Sequence, residues 1–177
     1  KTMMKKLGDV AFWRIAMRPG RPMAVGRILN TKLAATQRQM DVSSYQDGSS
    51  QKPDGAILFG LPGNPVSSTV GARFFVDAAL RALAGRAPEP ALLLPLAGAA
   101  CKKPGFSMLQ KAALALDADG RLQVRLLKGQ ESFKTAPLLA ARAWAVLPED
   151  TAELPAGTPV PVYPLRPGGA PFDGLLR

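Results

Sequence analysis

The pattern of apolar residues changes at a proline-rich stretch, APEP at residues 87–90, and this change is the strongest constraint on the fold. Before it, a short apolar run at residues 56–61 leads through a tight turn into a long helical pattern at residues 66–83. After it, short alternating runs are separated by turn signals, as in all-β proteins. We therefore predict an α/β portion over residues 1–87, followed by a small all-β, barrel-like domain over residues 88–177.

Within the first portion, residues 10–17 and 23–29 have the composition of strands, with a proline-glycine turn between them. Residues 1–7 resemble the end of a helix that has no visible start. We therefore expect the chain to be a piece of a larger protein. Residues 31–55 are polar and lack apolar periodicity, which predicts a surface loop.

The second portion has five predicted strands and one short helical stretch. The strands are expected at residues 92–96, 109–116, 122–127, 143–147 and 160–163, and the helical turn within residues 136–142. Trp144 stands ahead of an apolar run and is expected to pack in the core.

The residue types present restrict the chemistry. The chain has no histidine and one cysteine, Cys101, which excludes an intramolecular disulfide and the common histidine-dependent zinc, haem and catalytic sites. Cys101 itself is expected to be a small residue in a strand. Since no apolar run is long enough for a membrane span or a signal peptide, we expect a cytoplasmic protein without a membrane partner.

The net charge of +10 favours an anionic partner, and the charge is unevenly distributed. Residues 1–87 hold 13 Lys/Arg against 5 Asp/Glu, whereas residues 88–177 hold 10 against 8. Nucleic acid is not the expected partner because only Phe12 and Trp13 stand near the basic turn, and these are expected to be core residues. Membrane lipid and a phosphorylated small molecule suit such a charge equally, and the charge alone does not choose between them.

The sequence GLPGNPVSS at residues 60–68 joins the predicted strand to the helix. Pro65 suits the first helical position and Asn64 suits the N-cap, while Gly63 permits unusual backbone angles. The motif predicts a helix start with free N–H groups and with the hydroxyls of Ser67 and Ser68 in its first turn, which suits an oxyanion. An ordinary capped helix start is the alternative.

Arg18 and Arg21 flank a Pro-Gly pair at the end of the first strand. Two guanidinium groups on such a turn can form a fork for a carboxylate, a phosphate or a molybdate-like dianion, and solvated turn charges are the alternative. If both turns lie at the same sheet edge, they form one anion site.

The segments GDVAFWRIAMRPGRP (residues 8–22) and GLPGNPVS (residues 60–67) resemble the paired signatures of the molybdopterin molybdenumtransferase family, MoeA and the gephyrin E-domain. The resemblance continues through the KKPG and DG turns of the second portion, Ser132 and the run ARAWAVLP (residues 141–148). It implies the C-terminal half of a Mog-like, three-layer molybdopterin-binding α/β domain and the C-terminal β-barrel domain.

The resemblance also implies an activity. Such enzymes insert molybdate into adenylylated molybdopterin and release AMP with the help of Mg²⁺, and the full proteins are usually homodimers. The substrate-binding positions that it carries over to this chain are Arg18, Arg21, Pro62, Gly63, Asn64, Pro65, Ser67 and Ser132. The family usually has Lys at the two arginine positions, and Lys111 is the nearest substitute here for an arginine of the barrel domain.

The carboxylates of residues 1–87 show no clustering, so Mg²⁺ is expected to be bound mainly by residues outside this chain. We therefore expect the chain to be inactive alone. The alternative is a non-catalytic, dimerising scaffold of the same fold that captures a peptide.

Overall fold

A computed structural model describes residues 8–12, 14–28 and 56–168. The predicted helix at residues 1–7 and the predicted loop at 31–55 lie outside these ranges. The chain divides into two compact units, Lys1–Arg14 with Met23–Gly60, and Ile15–Pro22 with Leu61–Arg177. In the described ranges, no helix is long and apolar enough to cross a membrane.

The described part of the first unit is an antiparallel sheet of three strands, β1 (Gly8–Phe12), β3 (Ala24–Ile28) and β4 (Ala56–Gly60), in the order β1-β3-β4. The strand predicted at residues 10–17 is shorter than expected, since β1 ends at Phe12; its pairing with β3 changes register between Val10 and Phe12.

The predicted α/β class for residues 1–87 is not confirmed, because the described structure is mainly β. The strand, turn and helix of the predicted half α/β unit are present. However, the helix belongs to the second unit, because residues 61–87 group with the barrel residues. Local pattern predicted each element correctly, but it does not specify which sheet a helix will cover.

The second unit contains most of the strands. They are β2 (Met17–Arg18), β5 (Leu92–Pro95), β6 (Ala100–Cys101), β7 (Ser107–Leu116), β8 (Leu122–Leu126), β9 (Ala143–Leu147), β10 (Glu153–Leu154) and β11 (Pro159–Pro164). All five strands predicted after residue 90 are present within two residues of their expected ends. The pair β6–β10 was not predicted, although Cys101 does lie in a strand, where it is exposed.

The main sheet of the second unit runs β2-β7-β9-β11-β5, and β8 pairs with β7. A parallel bridge between Leu96, next to β5, and Val124 of β8, supported by a 2.8 Å hydrogen bond from the Ala97 N–H to the Val124 carbonyl, joins β5 to β8. The sheet therefore closes on itself, as predicted for a barrel-like domain. Its core is formed by alternating inward residues, among them Val160 and Val162.

A continuous helical segment covers one face of this barrel. It consists of α1 (Pro65–Gly71), a π-helical turn (Ala72–Val76) and α2 (Asp77–Leu83), as predicted for residues 66–83. Val66 and Val70 are fully buried against Met17, Leu109 and Trp144. A short helix, α3 (Ala136–Ala140), matches the predicted helical turn. This packing brings the start of α1 to the end of the barrel that holds the Arg18–Arg21 turn.

Candidate functional site

The second unit contains a cavity of about 310 Å³ at the start of α1. Its walls come from four separate parts of the chain: the arginine turn, the helix start, the beginning of β7 and the loop after β8. The predicted site residues in its lining are Arg18, Arg21, Pro62, Asn64, Ser67 and Ser132. Gly63 and Pro65 belong to the same turn but do not line the cavity. The arginine turn at residues 18–21 and the helix-start motif at residues 60–68 therefore converge on one pocket.

The arginine turn belongs to the barrel because of β2. Met17 and Arg18 pair in parallel with Ser107 and Met108 of β7, rather than with the three-stranded sheet. Gly20 has a φ of +113°, and a Cβ there would stand 2.7 Å from the Met17 side chain. Only glycine fits this turn without strain.

The charge of the cavity is wholly positive. Its two charged lining residues are Arg18 and Arg21, both exposed, and the lining includes no carboxylate. Among the described residues, neither arginine forms an ion pair with Asp or Glu. Such guanidinium groups can bind an oxyanion without first breaking an ion pair within the protein.

Asn64 occupies the N-cap position of α1, and Pro65 the first helical position, as predicted. The Asn64 side chain does not cap the helix, however. Its Nδ2 instead donates a 3.1 Å hydrogen bond to Ser132 Oγ. The Val66 N–H donates to the Ser132 carbonyl at 3.2 Å. Ser132 therefore ties the loop after β8 to the helix start.

The two serines of the first turn have different surroundings. Ser67 is buried and lines the cavity. The Ser68 hydroxyl donates back to the Pro62 carbonyl and also lies 3.1 Å from the Asn64 carbonyl. With the Val66 N–H bonded to the Ser132 carbonyl and the Ser68 hydroxyl engaged, the helix start offers an anion fewer donors than the sequence alone suggested.

A buried lysine supports the loop that carries Ser132. Lys111 in β7 is fully buried, and its Nζ donates to the carbonyls of Gly129, Glu131 and Lys134 at 2.6, 3.4 and 3.1 Å. Burial lowers the pKa of the Lys111 ammonium, while the nearby Glu131 opposes this shift. Lys111 is not a lining residue, so it supports the cavity wall instead of contacting a ligand.

Sequence reasoning missed the barrel residues of the lining, including Gln110 and Gln130. The Gln130 side chain accepts from the Lys111 N–H at 2.9 Å and donates to the carbonyls of Lys111 and Leu127. These bonds make Gln130 part of the wall. Neither glutamine belongs to a motif, so no sequence signal pointed to them.

Glu131 stands beside Ser132 and adds the only carboxylate to this loop. It pairs with Lys134 Nζ at 2.7 Å and does not line the cavity. The hydrogen bond from Lys134 is the main reason that the pKa of Glu131 is lowered. The negative charge of Glu131 is therefore balanced by Lys134, which does not line the cavity either.

A second cavity of about 280 Å³ lies between the helical segment and β11, and none of the predicted site residues lines it. Its buried arginine, Arg73, is paired with Glu89 at 2.6 Å and with Asp77 at 3.6 Å. Since its buried arginine already has carboxylate partners, this cavity is a weaker candidate for an anion than the first.

The described residues contain no group of three His, Cys, Asp or Glu side chains close enough to hold a metal ion. The first cavity is lined by arginine, amide and hydroxyl groups. This donor set suits an oxyanion and does not fit Mg²⁺, which takes carboxylate oxygens.

Fold and site together define a closed β-barrel domain with a basic, carboxylate-free pocket at the start of a covering helix. Residues 94–165 match the MoeA C-terminal region (domain IV) family. The resemblance to the C-terminal portion of the molybdopterin molybdenumtransferase (MoeA) family is therefore confirmed.

Curated relatives agree with this assignment. The molybdopterin molybdenumtransferase of Synechococcus elongatus is 29% identical over 163 residues, which are 92% of this chain and 34% of that protein. The Haemophilus influenzae protein of the same name is 26% identical over 169 residues, 94% of this chain and 36% of the relative. Gephyrin from Dictyostelium discoideum is 34% identical over 85 residues, 48% of this chain and 11% of gephyrin. The chain spans about a third of the length of the two transferases.

Solved structures share the fold. A molybdopterin biosynthesis MoeA protein from Pyrococcus horikoshii has a TM-score of 0.64 at 21% identity, covering 93% of this chain and 34% of its own. A molybdenum cofactor biosynthesis protein from Pyrococcus furiosus has a TM-score of 0.59 at 20% identity, covering 88% and 45%.

Proposed function

We propose that this chain provides part of the substrate site of a molybdopterin molybdenumtransferase that acts in molybdenum cofactor biosynthesis. The full-length protein would insert molybdate into adenylylated molybdopterin and release AMP. The observation that supports this proposal is the convergence of Arg18, Arg21 and Ser132 on one cavity without a carboxylate. The names of the curated relatives support the same substrate class.

The arginines suit the anionic parts of these reactants. A phosphoryl group and molybdate both present several oxygens to a guanidinium fork, so Arg18 and Arg21 would orient either one and offset its charge. Asn64 and Ser132 would add polar groups to the lining, although their hydrogen bond to each other uses part of that capacity. These residues bind and orient, and none of them is proposed to transfer a proton.

The volume of the cavity limits how much of the substrate it holds. At about 310 Å³ it lies at the lower end of the range for ligand pockets. It fits a phosphoryl or molybdate group with its neighbouring atoms better than a whole adenylylated pterin. The remainder of the substrate, and Mg²⁺, would be bound by residues outside this chain, so the chain alone would be inactive.

Other properties of the whole protein follow from the same assignment. In the full-length protein, the three-stranded sheet would belong to a Mog-like α/β domain, with residues 88–177 as the C-terminal barrel domain. The protein would be a cytoplasmic homodimer.

Calorimetric titration of the chain with molybdopterin, or with AMP as a simpler probe, tests the anion site. Saturable binding is expected, and Arg18→Ala/Arg21→Ala should abolish it. The control is Arg125→Ala/Arg166→Ala, which removes the same charge at two exposed arginines that do not line the cavity. Equal loss in both variants, or no binding by the folded parent chain, would contradict the proposed site.

The peptide-binding scaffold is a second candidate, which the partial match to gephyrin keeps open. A pull-down with amphipathic peptides separates the two functions. Peptide capture that survives Arg18→Ala/Arg21→Ala, combined with no binding of AMP, would favour the scaffold.

A further inference from the structure

One aromatic ring contacts both arginines of the cavity. The guanidinium carbon of Arg18 lies 4.3 Å from the centre of the Phe106 ring, and that of Arg21 lies 5.3 Å from it. Both distances fall within the range of a cation–π interaction, which reaches about 6 Å. Two like-charged side chains are thus held beside the same ring.

The backbone fixes the position of this ring relative to Arg18. Phe106 immediately precedes β7, whose first residues pair in parallel with Met17 and Arg18. The Ser107 N–H donates to the Ala16 carbonyl at 2.9 Å, which extends that pairing. The register of the pair therefore places Phe106 next to the arginine turn.

A lysine also holds the Phe106 main chain. Lys102 Nζ donates to the Phe106 carbonyl at 3.0 Å and to the Glu149 carbonyl at 2.9 Å. The turn before β7 is thereby joined to the end of β9. Because both contacts hold the peptide group between Phe106 and Ser107, the backbone that carries the ring is restrained next to the guanidinium groups.

The ring lies behind the arginines. Arg18 and Arg21 line the cavity, whereas Phe106 does not. Any effect of Phe106 on a ligand must therefore act through the arginines. Long, exposed arginine side chains lose rotamer freedom when they bind, and a contact that restrains them beforehand reduces this loss. The electron-rich ring face also offsets part of the repulsion between two adjacent cations.

We propose that Phe106 is the positioning residue of the anion site, and that it holds Arg18 and Arg21 as a preformed fork for a single dianion of the phosphate or molybdate type. This inference rests on the proposed function, because it assumes that the two arginines bind the anionic group. It adds a residue that does not belong to either of the paired motifs.

The test measures AMP and inorganic phosphate binding by the chain and by Phe106→Leu, Phe106→Trp and Phe133→Leu. Phe106→Leu keeps an apolar side chain but removes the ring, and it should weaken binding about three- to tenfold, the effect expected from exposed cation–π contacts. Phe106→Trp should restore the parent affinity. Phe133 is 67% exposed and does not line the cavity, so Phe133→Leu is the control and should bind like the parent.

A second measurement separates positioning from general loss of structure. The thermal midpoint of Phe106→Leu should stay close to that of the parent, and its effect on affinity should shrink in an Arg18→Ala background because the closer contact is already missing. Parent-like affinity of Phe106→Leu, or an equal loss in both backgrounds, would overturn the proposal. If Phe106→Leu binds like the parent while Arg18→Ala/Arg21→Ala loses binding, only the role of Phe106 is refuted and the proposed function stands. If the parent chain does not bind either anion, the proposed function and the role of Phe106 are both refuted.

Discussion

Asn64 and Ser132, separated by 68 positions in the chain, are joined by a 3.1 Å hydrogen bond from Asn64 Nδ2 to Ser132 Oγ. The first residue lies at the start of α1 and the second in the loop between β8 and α3. This bond crosses one side of the candidate anion cavity, with the arginine turn contributing another. The spacing of the cavity walls therefore depends on a contact between two predicted site residues.

Two substitutions of Asn64 should separate the effect of added charge on anion binding from the effect of losing the hydrogen bond to Ser132. Asn64→Asp keeps a good N-cap residue, and the Ser132 hydroxyl can donate to the new carboxylate, so stability should change by less than about 1 kcal/mol. The added negative charge should nevertheless lower the affinity for AMP by about tenfold or more. Calorimetry and thermal melting of both proteins measure the two effects.

Asn64→Ala is the matched comparison because it removes the hydrogen bond without adding charge. It should weaken AMP binding less than Asn64→Asp does. The reverse order would show that the cavity does not select for anions.

Gly20→Ala should disturb the arginine turn. The φ of +113° and the 2.7 Å approach of a Cβ to the Met17 side chain should together cost about 1–3 kcal/mol of stability. Anion affinity should fall as well, since the turn carries both arginines. Gly98→Ala is the control because a Cβ there meets no atom within 4 Å. Equal melting temperatures for the two variants would contradict this account of the turn.

Lys111→Met should destabilise the loop that carries Ser132. The substitution keeps a long side chain but leaves the carbonyls of Gly129 and Lys134 without the ammonium donor, which should cost about 2–4 kcal/mol. Anion affinity should also fall because this loop forms part of the cavity wall. Denaturant unfolding and AMP titration measure the two results, and a variant as stable as the parent would contradict the role assigned to Lys111.

The same lysine should give stability a pH dependence. Its folded-state pKa lies below 10.5, so protonation at lower pH is less favourable in the folded than in the unfolded chain. This penalty is relieved as the pH rises through the folded pKa towards 10.5. The stability of the parent relative to Lys111→Met should therefore increase over that interval, and a flat difference would be inconsistent with the lowered pKa.

Glu89→Gln should destabilise the protein more than a comparable surface change. Arg73 is 5% exposed and pairs with Glu89 at 2.6 Å, so the variant weakens the partner of a buried charge and should cost about 1–3 kcal/mol. Asp119→Asn breaks the exposed Arg121–Asp119 pair and should cost less than about 0.5 kcal/mol. Similar unfolding free energies for the two variants would contradict this difference in burial.

The sequence by itself determined most of the longer elements. Alternating apolar residues predicted the strands of the barrel, and Asn64 and Pro65 predicted where α1 begins, because these signals act within a few residues. The two motifs also carried the resemblance to the molybdopterin molybdenumtransferase family. The helix predicted after residue 65 forms as expected, apart from its π-helical turn.

Tertiary structure decided how these elements combine. Arg18 reaches the barrel through a two-residue parallel pairing with β7, and Phe106 meets both arginines because of that register. The side chain of Lys111 turns towards backbone carbonyls instead of the cavity. Such contacts join residues dozens of positions apart, and their geometry depends on strand register and loop closure, which local periodicity does not specify.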